Sequence, residues 1–220
     1  MTLITHIWTH NINLISSDRR LTNRTLVNPI VSENIRKTYS NSNSFVSFHG
    51  DYVINDNMNL NKLLIKHYEQ NNFNNSVEIA NVLHNRLKEN QNRELRTGLI
   101  IGGHFKFMES IYYHSNQITF DHSNYSQGIR MNSESNEHKN KLFELLDLSI
   151  NKVTKFNLND FEQFDNYSND QFLKIITNFY ERIHQEPLAN PVNGIGTNFD
   201  LGIIRNGIFN WIINNDDNSS

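Results

Sequence analysis

Cysteine is missing from this 220-residue sequence. The absence excludes disulfide bonds, metal sites built on thiolates and cysteine nucleophiles. It suits a reducing compartment, and we expect a cytoplasmic protein. Any nucleophilic chemistry must therefore use a different side chain.

Long apolar runs are also missing, and the first segment does not have the pattern of a signal peptide. No stretch approaches the ~20 apolar residues that a membrane-spanning helix needs. The first segment has no basic region ahead of an apolar run, and His6, Thr9, His10 and Asn11 interrupt it. We therefore expect neither a signal peptide nor membrane association.

An excess of positive charge is missing as well. The chain has 20 Lys and Arg against 23 Asp and Glu, which gives a net charge of -3. Proteins that bind nucleic acids usually carry a basic surface. The charge balance therefore predicts no nucleic-acid partner.

Motifs for phosphate or metal binding do not occur. The glycines of 98–103 and 194–196 match neither GxxxxGK[ST] nor GxGxxG. His6 and His10 are four residues apart, and on a strand that spacing is ~13 Å, too far for one ion. We expect neither a cofactor nor a bound metal.

The apolar pattern predicts the order strands, two helices, strands, two helices, strands. Helical spacing covers 57–69, 76–87, 142–153 and 172–183. Alternating or apolar runs predict strands over 3–8, 12–17, 34–39, 44–48, 99–103, 105–114, 117–120, 199–205 and 208–213, with a loop over 121–132. This order indicates an α+β protein with two mainly antiparallel sheets and outer helix pairs. We expect one domain over 1–213 and a disordered tail over 214–220.

The stretch from Thr2 to Thr22 joins a small hydroxyl residue to a charged strand end. Removal of Met1, which methionine aminopeptidases perform before small residues, would make Thr2 the first residue. Its hydroxyl could then be a nucleophile and its own amine the base. Many proteins begin with Met-Thr without catalytic meaning, so Thr2 alone favours a non-catalytic interpretation.

Asp18 and Arg20 change that balance, because residues two apart on a strand share a face. In a hairpin, the end of the second strand lies beside the start of the first. Thr2 is therefore expected near the Asp18 and Arg20 side chains. A salt-bridged sheet end explains the pair equally well.

Thr2, Asp18 and Arg20, within the flanking SSDRRLT, resemble the N-terminal segment of proteasome β-type subunits, which are N-terminal-nucleophile hydrolases. The run 47–50 resembles the strand and glycine that supply the family's oxyanion-hole amide. The runs 97–103 and 199–210 are similar to its buried strand and last hairpin. The resemblance covers nearly the whole chain and implies a four-layer αββα sandwich.

The resemblance implies a threonine-type peptidase that acts on a peptide or amide substrate. Thr2 would attack the carbonyl, with its own amine as general base. Asp18 and Arg20 would orient the terminus, and the Gly50 amide would stabilise the oxyanion. The resemblance also implies a homo-oligomer.

Glu33 occupies the position where the family pattern has a catalytic lysine. A carboxylate there would stabilise the terminal ammonium and raise its pKa, which leaves a poorer base. Lys37 shares the face of Glu33 but would lie ~13 Å further along a strand. Two alternatives stay open: an inactive subunit that acts structurally or by binding within an oligomer, and an Asn-rich domain with a fortuitous N-terminal match.

Overall fold

The computed structural model describes residues 3–22, 30–91, 95–103, 108–114, 117–123, 127–132, 136–155, 160–186 and 195–214. The chain divides into two compact units, each assembled from separate segments. The first unit contains Met1–Ile35, Gln127–Ile203 and Trp211–Ser220, and the second contains Arg36–Ser126 and Ile204–Asn210.

Groups of strands alternate with pairs of helices along the described residues. The strands are β1 (Ile4–Trp8), β2 (Ile12–Asp18), β3 (Leu21–Thr22), β4 (Ile30–Ser32), β5 (Thr38–Ser40), β6 (Ser44–Gly50), β7 (Val53–Asn55), β8 (Met58–Asn59), β9 (Arg96–Gly103), β10 (Met108–His114), β11 (Gln117–Ser123), β12 (Gly128–Met131), β13 (Phe199–Arg205) and β14 (Ile208–Ile213). The helices are α1 (Leu60–Leu64), α2 (Ser76–Asn90), α3 (Asn136–Val153) and α4 (Asn169–Gln185). A π-helical turn, Ile65–Glu69, extends α1, and a 3-10 helix, Phe161–Asn166, precedes α4.

The first unit is centred on a five-stranded sheet with the order β12-β1-β2-β13-β14. Its β1–β2 hairpin is antiparallel, with Ile4 opposite Ser17 and Trp8 opposite Asn13. The Thr9 hydroxyl closes the turn by accepting the backbone N–H groups of Asn11 and Ile12, both at 3.2 Å. All five residues of β1 are buried, including the polar Thr5 and His6.

Helices α3 and α4 supply the apolar layer on one face of this sheet. A Ser168–Gln171 capping box begins α4, and its apolar residues recur at helical spacing. The shared core joins residues of both helices to residues of the strands: Leu3, Ile7, Leu14, Met131, Leu142, Leu145, Leu146, Ile150, Phe172, Ile175, Ile176, Phe179, Ile183, Leu201 and Ile203. The apolar faces of α3 and α4 therefore pack against β2, the strand that ends in the charged residue Asp18.

The second unit has its own five-stranded sheet, ordered β11-β10-β9-β6-β5. The neighbouring pairs β5–β6, β6–β9, β9–β10 and β10–β11 are antiparallel. Helix α2 contacts β9 and β10 of this sheet. The buried Tyr68 hydroxyl lies 2.8 Å from Ser44 Oγ, which joins the π-helical turn to β6.

The expectation of an α+β protein with antiparallel sheets is confirmed. The predicted strand over 34–39 is wrong for most of its length, since regular pairing is confined to Thr38–Ser40. The predicted loop over 121–132 is also wrong, because β11 continues to Ser123 and β12 pairs with β1. The predicted residues 105–107, 115–116 and 215–220 lie outside the described residues, and the single-domain expectation stays a prediction.

No helix among the described residues is both long enough and apolar enough to cross a membrane.

Candidate functional site

Three of the predicted site residues meet at the end of β2 in the first unit. They are Asp18, Arg20 and Glu33, and we call their surroundings the β2-end cluster. Thr2 lies outside the described residues, and Gly50 ends β6 in the second unit. The proximity of Asp18 to the first residues, expected from hairpin geometry, is present at Leu3.

Asp18 is fully buried and binds three backbone N–H groups. Its Oδ1 accepts the N–H of Leu3 at 2.8 Å, and its Oδ2 accepts those of Gly196 and Arg20 at 3.1 and 3.2 Å. The Asp18 N–H in turn donates to the Leu3 carbonyl at 3.1 Å. One carboxylate therefore fixes the backbone of Leu3, the turn after β2 and the segment before β13.

Arg20 pairs with Glu33 across a very short hairpin. Leu21 of β3 lies opposite Ser32 of β4, so the residues just outside this pair face each other. Arg20 Nε lies 2.9 Å from Glu33 Oε1 and 3.0 Å from Oε2. The side chains are 14% and 38% exposed, so the pair is partly screened by solvent. Glu33 thus places its carboxylate beside a cation that offsets its charge.

Arg19 was not predicted as a site residue, and its side chain is buried. Its Nη1 forms an ion pair with Asp200 Oδ1 of β13 at 3.0 Å, with side-chain exposures of 4% and 1%. Its Nη2 donates to the Asn34 carbonyl at 3.4 Å. Buried charges persist only when paired, so Arg19 and Asp200 explain each other's burial.

Tyr180 of α4 contacts β2 through Ser16, close to Asp18 and Asp200. The Ser16 hydroxyl donates to the Tyr180 oxygen at 3.3 Å, and the Tyr180 ring stacks on Phe199 with a centroid distance of 4.4 Å. Burial raises the pKa of the Tyr180 hydroxyl well above its ordinary value, and the negative charges of Asp18 and Asp200 add to that shift. Tyr180 therefore stays protonated and serves as a hydrogen-bonding group.

Gly50 has a local structural explanation. Its φ is +95°, a conformation that L side chains rarely adopt, and a Cβ at this position would lie 2.1 Å from the Arg96 carbonyl oxygen. Glycine is therefore required by the turn itself. The oxyanion-hole role of the Gly50 amide stays a prediction.

Gly196 and Asp200 were missed as site residues, although the sequence carried a signal for Asp200. Asp200 is the only charged residue in the apolar run FDLGII, just as Asp18 and Arg19 end an apolar strand. Lone charges in buried strands require partners. A Cβ on Gly196 would approach Arg20 Cβ to 2.9 Å, so the segment before β13 needs glycine to reach Asp18.

In the part of the chain that the structure describes, no group of three or more His, Asp or Glu side chains is arranged to hold a metal ion.

Comparison with known proteins gives a match in structure and none in sequence. No family model and no curated protein matches the chain. Solved structures do match, in 333 chains. One is the Anbu (Gly-1) mutant from Hyphomicrobium sp. strain MC1, with a TM-score of 0.60 and 14% identity over 96% of this chain and 84% of that one. At that identity the likeness concerns the fold alone.

The identification with proteasome β-type subunits is wrong. No family model supports it, and Anbu is proteasome-related but distinct, with a fold like that of N-terminal-nucleophile hydrolases. The physical reason is that the matching residues are strand-end and hairpin features. A charged end on a buried strand and an Asn-Gly turn arise from fold geometry and do not identify a family. The fold of this chain resembles that of the proteasome-related protein Anbu.

Proposed function

We propose that this protein is a threonine-type N-terminal-nucleophile hydrolase that cleaves amide bonds in a peptide or amide substrate. Thr2 is the nucleophile once Met1 has been removed. Gly50 supplies an oxyanion-stabilising amide, and the fold is a four-layer αββα sandwich. The protein works in the cytoplasm as a homo-oligomer.

The observation that carries the proposal is the buried hydrogen bond from the Leu3 N–H to Asp18. This N–H belongs to the peptide bond that joins Leu3 to Thr2. A nucleophile at a chain terminus is useful only if the terminus is held in place, since a freely moving end loses the benefit of orientation. The Asp18 carboxylate supplies that anchor for the residue next to Thr2.

The chemical step needs no cofactor. The Thr2 hydroxyl attacks the substrate carbonyl carbon while the terminal amine takes up the hydroxyl proton. That proton passes to the leaving nitrogen as the C–N bond breaks, leaving an ester on Thr2. Water then hydrolyses the ester and restores the hydroxyl.

The Arg20–Glu33 contact removes part of the objection drawn from Glu33. A lone carboxylate near the terminus would raise the pKa of the amine and keep it protonated. Arg20 Nε lies 2.9 Å from the Glu33 carboxylate and offsets its charge. An amine near this ion pair therefore meets less negative charge than the sequence alone suggested.

Intact mass spectrometry tests the proposal directly. The purified protein is measured before and after treatment with a peptide β-lactone, which esterifies a nucleophilic hydroxyl. We expect loss of Met1 and one adduct that maps to Thr2. Thr2→Ala should form no adduct, while the matched variant Thr22→Ala should react like the parent. Retained Met1, or no adduct on Thr2, would remove the enzymatic proposal.

A second candidate is a catalytically inactive subunit that works by assembly or binding. Glu33 favours it, because a carboxylate near the terminal amine would raise the pKa of that amine and leave a poorer base. Absence of an adduct, together with a defined oligomer in light scattering, would support it. Glu33→Lys then tests whether the Glu33 charge alone prevents catalysis. If it does, the Glu33→Lys variant forms the β-lactone adduct that the parent protein does not form.

A further inference from the structure

We propose that Arg19 and Asp200 are positioning residues that set the place of Glu33 in the β2-end cluster. Their ion pair is buried and lies beside the candidate site. The consequence for amide hydrolysis rests on the proposed function. The structural consequence, the placement of Glu33 against Arg20, is independent of it.

The ion pair joins two neighbouring strands of the first sheet. Arg19 follows β2, Asp200 lies in β13, and these strands are adjacent in the sheet order. The Arg19 N–H also donates to the Asn198 carbonyl at 3.0 Å. These contacts hold the Arg19 side chain in place. Moving it would leave the buried Asp200 carboxylate without this partner.

Arg19 holds the segment after Glu33 from two directions. Its side-chain Nη2 donates to the Asn34 carbonyl at 3.4 Å, and its backbone carbonyl accepts the Ile35 N–H at 2.8 Å. The Asn198 side-chain amide adds a third contact, donating to Asn34 Oδ1 at 3.1 Å. The two residues that follow Glu33 are therefore fixed relative to β2 and β13.

This anchoring determines where Glu33 can reach. Glu33 is partly exposed and sits at the end of a three-residue strand, β4, which has little pairing of its own. A solvent-screened ion pair is weak and cannot by itself order two chain segments. The buried Arg19–Asp200 pair fixes the backbone, and the Arg20–Glu33 contact follows from that backbone position.

A purely stabilising role would give a different result from a positioning role. In the first case, weakening the pair lowers stability but leaves Arg20 and Glu33 in contact whenever the protein is folded. In the second case, the folded protein itself loses the contact. A signal from the Arg20 guanidinium therefore separates the two.

The experiment records the Arg20 Nε–H resonance by ¹H–¹⁵N NMR on the full-length chain. Glu33→Gln removes the charged acceptor and identifies the position of the released signal. We expect Asp200→Asn to move the Arg20 signal at least half of the way to that position. Asp56→Asn, an exposed change in the second unit, should leave it unmoved. An Arg20 signal that stays at the parent position in folded Asp200→Asn overturns the proposal.

A second variant decides the matter if Asp200→Asn does not fold. Arg19→Lys keeps a cation for Asp200 but loses the Nη2 hydrogen bond to Asn34, because an ammonium cannot reproduce the guanidinium fork. We expect the same displacement of the Arg20 signal, and an unmoved signal contradicts the proposal.

Adduct formation links the positioning pair to catalysis. Under the proposed function, either variant should slow β-lactone reaction roughly tenfold, because small displacements near a reacting group cost rate. If the parent protein forms no adduct, the proposed function fails while the Arg20 resonance still decides the positioning role.

Discussion

Asp18 binds the backbone N–H of Leu3 through its side chain, at 2.8 Å, at the point where the β1–β2 ladder ends. In an extended antiparallel ladder a backbone carbonyl would accept this bond. The carboxylate takes that place and has a second oxygen left for Arg20 and Gly196. Leu3 is therefore tied to a charged side chain as well as to the backbone of Asp18, whose N–H donates to the Leu3 carbonyl.

Replacing Asp18 by Asn should be costly. The amide has nearly the same shape, but one of its ends donates and would face an N–H group at Leu3 or Gly196. A buried donor left facing a donor costs about 2–4 kcal/mol. We expect urea unfolding of Asp18→Asn to show a loss of this size, and Asp56→Asn to differ little from the parent. A loss below about 1 kcal/mol would mean that the Asp18 charge contributes little to the anchor.

Replacing Glu33 by Gln should cost far less. The Arg20–Glu33 pair has a Glu33 side chain that is 38% exposed, and solvent screens such pairs. We expect the free energy of unfolding to change by less than about 1 kcal/mol, with the difference shrinking further in high salt. A large, salt-independent loss would show that this pair orders the segment on its own, against the role given to Arg19.

Gly50 and Gly207 provide a matched pair for separating strain from steric conflict. Both have positive φ, +95° and +76°. Gly207 lies in the β13–β14 turn, where its positive φ gives alanine a conformational penalty of about 1 kcal/mol. At Gly50 an added Cβ would also lie 2.1 Å from the Arg96 carbonyl oxygen. We expect Gly50→Ala to lose at least ~1 kcal/mol more than Gly207→Ala by chemical unfolding. Equal losses of unfolding free energy would show that β9 moves away from the added Cβ at little cost.

His6 should make the protein less stable in mild acid. Its pKa is lowered to about 4, because burial disfavours the charged imidazole, with a smaller contribution from the Arg130 charge. The Asn13 hydrogen bond opposes the shift, and the ring stacks on Trp8 at 5.0 Å. Between pH 6.5 and about 4 the unfolded state binds a proton that the folded state does not. Stability is therefore lost as the pH falls through this window, by on the order of 3 kcal/mol.

His6→Gln isolates this contribution. Carboxylates titrate in both proteins, so the difference between their stability curves reports His6. We expect the parent to lose more stability than His6→Gln between pH 6.5 and 4.5, as measured by urea unfolding at each pH. Parallel curves would contradict the expectation. An NMR titration of the His6 ring in the folded parent checks the low pKa if the variant does not fold.

Elements with strong local signals could be predicted from the sequence. The hairpin over 199–205 and 208–213 is confirmed with the same bounds, since Asn206-Gly207 adopts the two positive φ values that a tight turn requires. Helix α4 was also predicted, because its apolar residues keep a 3.6-residue period over several turns. These features depend on neighbours within one element.

Elements decided by distant pairing could not be predicted in this way. Strand β12 has four residues and becomes regular by pairing with β1, far away in sequence. The short pairing of β3 with β4 likewise places Glu33 beside Arg20, which the sequence did not indicate. Arg19 and Asp200 are separated by most of the chain, so the local sequence around either residue does not indicate that the two form an ion pair.

The sequence by itself determined the class of the fold, the β1–β2 and β13–β14 hairpins and the charged strand end at Asp18 and Arg20, whereas Glu33 became a site candidate only through the resemblance to a known family. Hydrophobic periodicity and turn-forming residues act over a few neighbouring positions. Helices, strands and hairpin turns can therefore be predicted from the sequence. The tertiary structure decided which groups those candidates contact: Asp18 anchors Leu3, Arg20 offsets Glu33, and Arg19 pairs with Asp200. Buried charges choose partners by position in the folded sheet, because only there does the loss of water make pairing obligatory.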